Sequence, residues 1–251
     1  MGEVLLEVKG LCKSFGGLMA TSAVSFLTHS EEIVGIIGPN GAGKTTLFNL
    51  LTGFLKADSG EILYKGQAIG GLRPHKIART GLSRSFQLAR LFPNMTVEQT
   101  LIVPQYFTHK GKTKKSAEDI QAYCEKLLVN IGLQKKKDHL VKSLNQGELK
   151  LLDIARSLAT DPDLLLLDEP FSGLGYRDIQ PLTALILRLR DSGLTLMVIE
   201  HKLKELMSFV DRVIVINFGR LIADGSPQEI GKNKEVIKSY LGEEEIEIGT
   251  A

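Results

Sequence analysis

Four short apolar runs along the chain predict buried β-strands. They span residues 32–37, 163–167, 194–199 and 212–216, and each is followed by a glycine, a carboxylate or an asparagine. The first three are nearly continuous apolar runs, which is typical of central parallel strands covered on both faces. Residues 178–189 lie between two of these runs and carry apolar positions at helical spacing. Strands that alternate with helices predict a parallel α/β sheet.

The beginning and the middle of the chain follow different patterns. Residues 4–34 alternate apolar and polar positions, which predicts antiparallel β structure. Residues 96–160 contain no convincing strand, and 117–129 and 149–159 show the spacing of amphipathic helices. The predicted fold class is therefore α/β, with a parallel-sheet core, an N-terminal antiparallel β subdomain and an inserted helical subdomain. The predicted boundaries are 1–95 and 161–235 for the core with its β subdomain, 96–160 for the helical subdomain and 236–251 for the C-terminal tail.

Composition narrows the function classes. The 251 residues are 43% hydrophobic and 24% charged, which is ordinary for a globular domain. A net charge of +2, no tryptophan and 6% aromatic residues argue against a dedicated nucleic-acid binder. Cys12 and Cys124 show no metal-ligand spacing, so we expect free thiols in a reducing compartment. There is no signal-peptide pattern and no apolar run near the roughly 20 residues that a membrane helix needs, which predicts a cytoplasmic chain.

Lysines are concentrated in residues 109–142, with clusters at 110–115 and 135–137. One interpretation is the solvated face of an inserted helical segment. The other is contact with anionic lipid headgroups or with an acidic partner. The sequence leaves both interpretations open.

The segment from residue 38 to 46 fits the pattern G-x-x-x-x-G-K-[ST], which binds nucleotide phosphates. Its glycines let consecutive backbone N–H groups curl around a phosphate with no Cβ in the way. A helix beginning near Lys44 adds the positive end of its dipole. We expect Lys44 to neutralise the β and γ oxygens and Thr45 to ligate Mg²⁺. The predicted nucleotide-binding residues here are Gly38, Pro39, Asn40, Gly41, Ala42, Gly43, Lys44, Thr45 and Thr46.

Further candidate residues follow the predicted strands. Asp168 ends an apolar strand, which suits coordination of Mg²⁺ directly or through water, and Glu169 is then left to polarise an attacking water. His201 follows the next strand at the same edge of the sheet, where it is expected to contact the γ-phosphate. Gln87 stays ambiguous, because its amide suits Mg²⁺ or the lytic water but also an ordinary turn.

The order of these motifs resembles that of ABC-transporter ATPase subunits. The motifs are, along the chain, the phosphate loop, Gln87, residues 144–148, residues 168–169 and His201. The resemblance covers essentially the whole chain. Five segments resemble, more narrowly, the ATPase subunits of branched-chain amino-acid importers. They are residues 14–18, 46–54, 84–87, 198–201 and 236–243. The ATPase of the lipopolysaccharide exporter shares part of the ending and is the nearest alternative.

The resemblance implies a P-loop (RecA-like) core, with ATP and Mg²⁺ as cofactors. It implies that Phe15 lies against the adenine ring. It also implies that Gln87 contacts the nucleotide and the metal and begins the loop that senses the membrane subunit. The apolar stretch after Gln87 either docks on that subunit or packs inside the domain. Integral membrane permease subunits would be partners, and the chain would lie on the inner face of the cell membrane. Two chains would sandwich two ATP molecules, each offering a signature segment to the other, here Asn145, Gln146, Gly147 and Glu148.

Two departures from the family pattern concern the dimer. The signature is usually Leu-Ser-Gly-Gly-Gln, whereas Gln146 and Glu148 here replace a glycine and a glutamine. The segment 172–175 usually ends in aspartate, whereas it ends here in Gly175. A long side chain at 146 would crowd the partner's phosphate, and the charge of Glu148 would repel it. These departures favour a heterodimer with a related subunit whose signature is intact, and the alternative is a homodimer with two equally weak sites.

The predicted function is an ATP-hydrolysing transporter subunit that drives import of a small solute, with branched-chain or other amino acids as the favoured cargo. The alternatives are a lipopolysaccharide-exporter ATPase and a regulatory subunit that binds ATP with weak turnover. An ATP switch acting on ribosomes or DNA is disfavoured. Such proteins usually have two tandem ATPase domains or a long coiled coil, and this chain has neither.

Overall fold

The computed structural model describes residues 2–86, 91–106 and 116–240. Within these ranges, no helix is long and apolar enough to cross a membrane. The strands are β1 (Val4–Phe15), β2 (Leu18–His29), β3 (Ile33–Ile37), β4 (Ser59–Tyr64), β5 (Gln67–Ala68), β6 (Leu82–Arg84), β7 (Leu164–Asp168), β8 (Thr195–Ile199), β9 (Arg212–Asn217) and β10 (Arg220–Gly225). The α-helices are α1 (Lys44–Leu51), α2 (Pro74–Thr80), α3 (Val97–Gln105), α4 (Ala117–Asn130), α5 (Gln146–Leu158), α6 (Tyr176–Asp191), α7 (Leu203–Met207), α8 (Pro227–Lys232) and α9 (Lys234–Tyr240).

A six-stranded sheet in the order β10-β9-β3-β8-β7-β6 forms the core. All its pairings are parallel except that of β9 with β10, so the predicted parallel α/β core is confirmed. Side chains alternate between two hydrophobic clusters. In β3, Ile33 and Ile37 enter one cluster, and Val34 and Ile36 enter the other. The near-continuous apolar sequence of the central strands follows from burial on both faces.

A second sheet, in the order β2-β1-β4-β5, is antiparallel. The predicted antiparallel subdomain is confirmed, but the predicted range of 4–34 is wrong at its end. The chain reverses after His29, where Glu31 has a φ of +65°, and Ile33 already belongs to the parallel sheet. The sheet also contains β4 and β5, which lie outside the predicted range of residues 4–34.

The described residues between 96 and 160 contain α3, α4 and α5, two short 3₁₀ turns and one isolated bridge between Thr96 and Leu140. Helix α5 begins at residue 146, three residues before the apolar pattern of 149–159, and Asn145 is its N-cap. Its first turn is polar and is stabilised by a capping box instead of apolar contacts. The Asn145 side chain accepts from the N–H of Glu148 at 2.9 Å, and the Glu148 carboxylate accepts from the N–H of Asn145 at 3.1 Å.

Candidate functional site

The phosphate loop, residues 38–45, connects buried strand β3 to helix α1. Two of its glycines are required by packing as well as by conformation. A Cβ on Gly38 (φ +154°) would lie 2.0 Å from the carbonyl oxygen of Ile216, and one on Gly43 (φ +103°) would lie 2.1 Å from that of Ala20. Neighbouring strands therefore hold the loop backbone in place, which preserves the cradle that a phosphate group needs.

Lys44 points into this loop. Its ammonium donates to the carbonyl oxygens of Gly38 at 2.6 Å and Pro39 at 2.9 Å. Burial lowers the pKa of Lys44, and the nearby carboxylates of Glu169 and Asp168 partly offset this. The charge thus lies between the loop and the two acidic residues, where phosphate oxygens and their counter-charges are expected to meet.

Asp168 ends strand β7 and is buried, with 4% of its side chain exposed. Its Oδ2 accepts a hydrogen bond from Arg84 Nη2 at 2.5 Å. Its Oδ1 is buried and has no hydrogen-bond partner within the part of the chain that the structure describes. A buried carboxylate oxygen needs a donor or a cation, and Mg²⁺ takes oxygen ligands. Together with the exposed hydroxyl of Thr45, this oxygen fits a magnesium site. Gln87 lies outside the described residues.

Glu169 and His201 meet at the carboxyl edge of the sheet. Strand pairing aligns Asp168 with Ile199, so the residues that follow each strand become neighbours. The Glu169 Oε1 lies 3.1 Å from Nε2 of His201. Glu169 adopts a left-handed conformation with φ of +48°, and its N–H donates to the carbonyl of Ile199 at 2.9 Å. Left-handed backbone at a non-glycine residue is strained and is often found at functional sites.

Glu200 supports this edge and received no role from the sequence. It is buried, and its carboxylate accepts from the N–H of Phe171 at 2.5 Å and from the N–H of His201 at 3.1 Å. Burial raises the pKa of Glu200, and these hydrogen bonds oppose the rise. Its position as a carboxylate directly after a buried strand, beside His201, was the signal available in the sequence.

Lys150 connects helix α5 to the same edge. Its buried ammonium lies 3.4 Å from the carbonyl oxygen of Glu169. Burial lowers the pKa of Lys150, whereas Asp153, Glu200 and other nearby carboxylates raise it. Lys150 thus connects the helix that carries the signature segment to the backbone of Glu169.

The signature segment differs from its sequence-based description in one respect. The charge of Glu148 is not unpaired, because its Oε1 lies 2.6 Å from Nζ of Lys136. Although burial acts to raise the pKa of Glu148, hydrogen bonds from Lys136 and from the N–H of Asn145 lower it overall. Lys136 and Glu148, 12 positions apart in the sequence, thus form an ion pair, which weakens the expected repulsion between Glu148 and a phosphate.

Gln146 packs on its own chain. Its Nε2 lies 2.7 Å from where a Cβ on Gly173 would be, so the amide is close to the turn that contains Gly173. Gly147 is close to the carboxylate of Asp178 in α6, at 3.2 Å from the corresponding Cβ position. The two segments that depart from the family pattern are therefore in contact with each other.

Phe15 ends strand β1 with 46% of the residue exposed. Lys13 Nζ lies 5.5 Å from its ring centroid. Phe15 pairs with Leu18 at the start of β2, and Ala20 on the same strand contacts Gly43 of the phosphate loop. An exposed ring near the loop can stack on a flat heterocycle.

An apolar groove of about 400 Å³ lies between the core and helices α3 and α5. Phe92 and Phe54 are 62% and 54% exposed there, whereas Leu91 is partly buried against the core. The groove also contacts Arg84, the partner of Asp168. Its apolar wall is formed mainly by Phe54, Phe86, Leu91, Phe92, Met95 and Pro104.

Comparison with known proteins identifies the family. The family described as "ABC transporter" matches residues 21–172, and that described as "Branched-chain amino acid ATP-binding cassette transporter" matches residues 220–246. The chain is 41% identical to the high-affinity branched-chain amino acid transport ATP-binding protein BraF of Pseudomonas aeruginosa, over 97% of this chain and 100% of BraF. It is 32% identical to the lipopolysaccharide export system ATP-binding protein LptB of Haemophilus influenzae, over 96% and 98%.

A solved structure supports the same family assignment. The ADP conformation of MJ1267, an ATP-binding cassette of an ABC transporter, superposes with a TM-score of 0.87 at 29% identity, over 96% of this chain and 99% of that one. The fold, the arrangement of the phosphate loop and the matches over nearly the whole length lead to one conclusion: the chain belongs to the ATP-hydrolysing, ATP-binding subunits of ABC transporters.

Proposed function

We propose that this subunit drives the import of branched-chain amino acids or similar small amino acids. The greater similarity to BraF than to LptB and the match of residues 220–246 support this cargo. The observation that carries the chemistry is the convergence of the phosphate loop, Asp168, Glu169 and His201 at one edge of the sheet.

In the proposed mechanism, the loop N–H groups and Lys44 hold the β- and γ-phosphates of ATP. Thr45 and Asp168 hold Mg²⁺, which when bound neutralises charge on the phosphate oxygens. Glu169 accepts a proton from the attacking water, and its contact with His201 fixes the direction of its carboxylate. His201, still half-exposed, also reaches the γ-phosphate.

The remaining site residues complete the nucleotide pocket in this proposal. Phe15 stacks on the adenine ring, which its exposure and its place beside the phosphate loop support. Gln87 contacts the metal or the lytic water and begins the segment that responds to the membrane partner. The loop residues Gly38, Pro39, Asn40, Gly41, Ala42, Gly43 and Thr46 surround the triphosphate.

Integral membrane permease subunits are the partners of ABC ATP-binding subunits, and we propose that they dock in the apolar groove. The exposed rings of Phe54 and Phe92 support this, because exposed apolar patches commonly mark interaction sites. A chain that docks on the permease in this way would lie in the cytoplasm, on the inner face of the cell membrane. The lysine-rich residues 135–137 near the signature are then either solvated or in contact with lipid headgroups or an acidic partner. The lysine cluster at 110–115 lies outside the described residues.

We expect Phe92→Asp to prevent assembly with the permease while ATP binding by the chain stays unchanged. The charge enters an exposed position, so it costs little folding energy, but it would be buried without a partner in the complex. Leu91→Asp is a poorer test because Leu91 is partly buried. Copurification with the permease subunits and ATP affinity are the two measurements.

Val129→Asp is the matched control, since Val129 is 55% exposed on helix α4 and does not line the groove. This variant should assemble normally. A Phe92→Asp chain that assembles as fully as the control would contradict docking at the groove.

We also propose a heterodimer with a related subunit. The support is Gln146, an exposed long side chain at the position where the family signature usually has a glycine. Lys136 pairs with Glu148, so this proposal depends more on the length of the Gln146 side chain than on the charge of Glu148. The phosphate loop of this chain would face the intact signature of its partner and form the more productive site. The alternatives are a homodimer with two equally weak sites and a regulatory subunit with weak turnover.

Mutating the catalytic glutamate separately in each subunit of the purified complex tests this asymmetry. We expect Glu169→Gln in this chain to remove most ATP turnover and the equivalent change in the partner to remove much less. Equal losses would contradict the proposed asymmetry of the two sites. A complex with a single kind of ATPase subunit would contradict the heterodimer itself.

Purifying the chain with its membrane complex tests the cargo. We expect the retained permease to bind branched-chain amino acids and uptake to depend on ATP. Retention of lipid-transfer components in place of such a permease would instead favour the lipopolysaccharide-exporter alternative. An affinity tag at the N-terminus of the chain is used to purify this complex.

A further inference from the structure

The buried side chain of Arg84 connects two parts of the ATP site. It stands at the end of edge strand β6, 5% exposed, where pairing with β7 brings it beside Asp168. Its Nη2 donates to Asp168 Oδ2 at 2.5 Å, and its Nη1 donates to Asn49 Oδ1 at 2.7 Å. Asn49 lies in α1, the helix that begins at the phosphate loop. One guanidinium therefore joins the strand that carries Asp168 to the helix that carries Lys44 and Thr45.

Two aromatic rings flank this guanidinium. The ring centroids of Phe48 and Phe86 lie 5.5 and 5.2 Å from the guanidinium carbon of Arg84. Such contacts favour a planar cation in a fixed place. A lysine would supply the same charge, but its single ammonium lacks the planar fork that reaches two acceptors on different elements. The orientation of the Arg84–Asp168 pair is thus set by packing and by hydrogen bonds from Nη1 to Asn49 and Thr52 and from Nη2 to Asp168.

The pair leaves half of the Asp168 carboxylate available. Arg84 occupies Oδ2, whereas Oδ1 is buried with no hydrogen-bond partner among the described residues. Of the guanidinium nitrogens, only Nη2 donates to the carboxylate, since Nη1 donates to Asn49 and Nε has no hydrogen-bond partner among the described residues. Both lone pairs of Oδ1 are therefore open to a further ligand.

We propose that Arg84 is a positioning residue for the metal site, which holds Oδ2 of Asp168 so that Oδ1 is presented to Mg²⁺. The proposal rests on the proposed role of Asp168 as a metal ligand. Partners that orient metal-binding side chains typically change metal affinity about 10- to 100-fold when they are removed. Arg84 itself touches neither the nucleotide nor the attacking water in this account.

ATP binding to the full chain, measured by calorimetry in excess Mg²⁺ and again in EDTA, tests the proposal. In Arg84→Met, we expect the gain in ATP affinity that Mg²⁺ provides to fall about 10- to 100-fold. ATP affinity in EDTA depends on the phosphate loop and should match that of the wild type. Arg84→Lys should show a smaller loss of the same kind, and Asn49→Ala, which removes only the second anchor, should show a smaller loss still.

Unfolding temperatures without nucleotide separate this role from a merely structural one, because removing one member of a buried ion pair also destabilises a fold. An equal loss of ATP affinity in Mg²⁺ and in EDTA would overturn the proposal, as would an unchanged Mg²⁺ response in Arg84→Met. If Arg84→Met does not fold, Arg84→Lys decides, and a wild-type Mg²⁺ response in that variant contradicts the proposal. If Asp168→Asn keeps the wild-type Mg²⁺ response, the role of Asp168 fails, which is distinct from a failure confined to Arg84.

Discussion

Glu169→Gln is expected to lower the rate of ATP hydrolysis by about 10²- to 10⁴-fold while ATP still binds. The amide keeps the shape of the side chain and can still contact Nε2 of His201, but it cannot accept the proton of the attacking water. Because Lys44 and the phosphate loop are untouched, the affinity for ATP should be that of the wild type. The measurements are steady-state ATP turnover of the assembled complex and equilibrium ATP binding.

Glu31→Gln is the matched control for this change. Glu31 also adopts a left-handed conformation, with φ of +65°, but it is exposed in the turn between β2 and β3. The control should turn over ATP normally. Turnover near the wild-type rate in Glu169→Gln would remove Glu169 from the role of general base.

Lys44→Ala is expected to weaken ATP binding by about 100-fold or more. Hydrogen bonds between charged groups contribute about 1.5–3 kcal/mol each, and the ammonium can donate to both the β- and γ-phosphates. Folding should be little affected. Burial already disfavours the charged form of Lys44, as its lowered pKa shows, so its removal also removes a desolvation cost.

Lys56→Ala provides the comparison for Lys44→Ala, because Lys56 is exposed in the segment after α1 and has no place in the site. ATP affinity is measured by calorimetry and folding by thermal unfolding. Wild-type ATP affinity in a folded Lys44→Ala chain would show that the phosphates bind elsewhere.

The sequence predicts the core well because each central strand carries its own signal. Burial on both faces produces nearly continuous apolar runs in β3, β7 and β8, and these runs lead into the phosphate loop, Asp168 and Glu200, respectively. The phosphate loop is equally local, since its glycines and Lys44 are consecutive in sequence. These features need no knowledge of distant contacts.

Elements with weak local signals are missed. Strand β6 has three residues at a sheet edge, so no pattern of period two can develop in it. The first turn of α5 is polar because Asn145 and Glu148 cap it through hydrogen bonds, which an apolar pattern does not report. Strand β4 begins with Ser59 and Gly60, and its place in the antiparallel sheet depends on pairing with β1.

Interactions between distant residues also escape the sequence. The Arg84–Asp168 ion pair joins two parallel strands that are separated by the helical insertion. The pairing of Glu148 with Lys136 weakens the repulsion that Glu148 alone would exert on a phosphate. Glu200 is identified as a support only when its contacts with the N–H groups of Phe171 and His201 are seen.

The most direct test of the proposed ATP site is an experimental structure of the Glu169→Gln chain with ATP and Mg²⁺. We expect the triphosphate inside the loop 38–45 and the metal between the Thr45 hydroxyl and Oδ1 of Asp168, with Arg84 still on Oδ2. A nucleotide bound outside the loop, or a metal that leaves Oδ1 of Asp168 without a ligand or a bound water, would contradict this expectation.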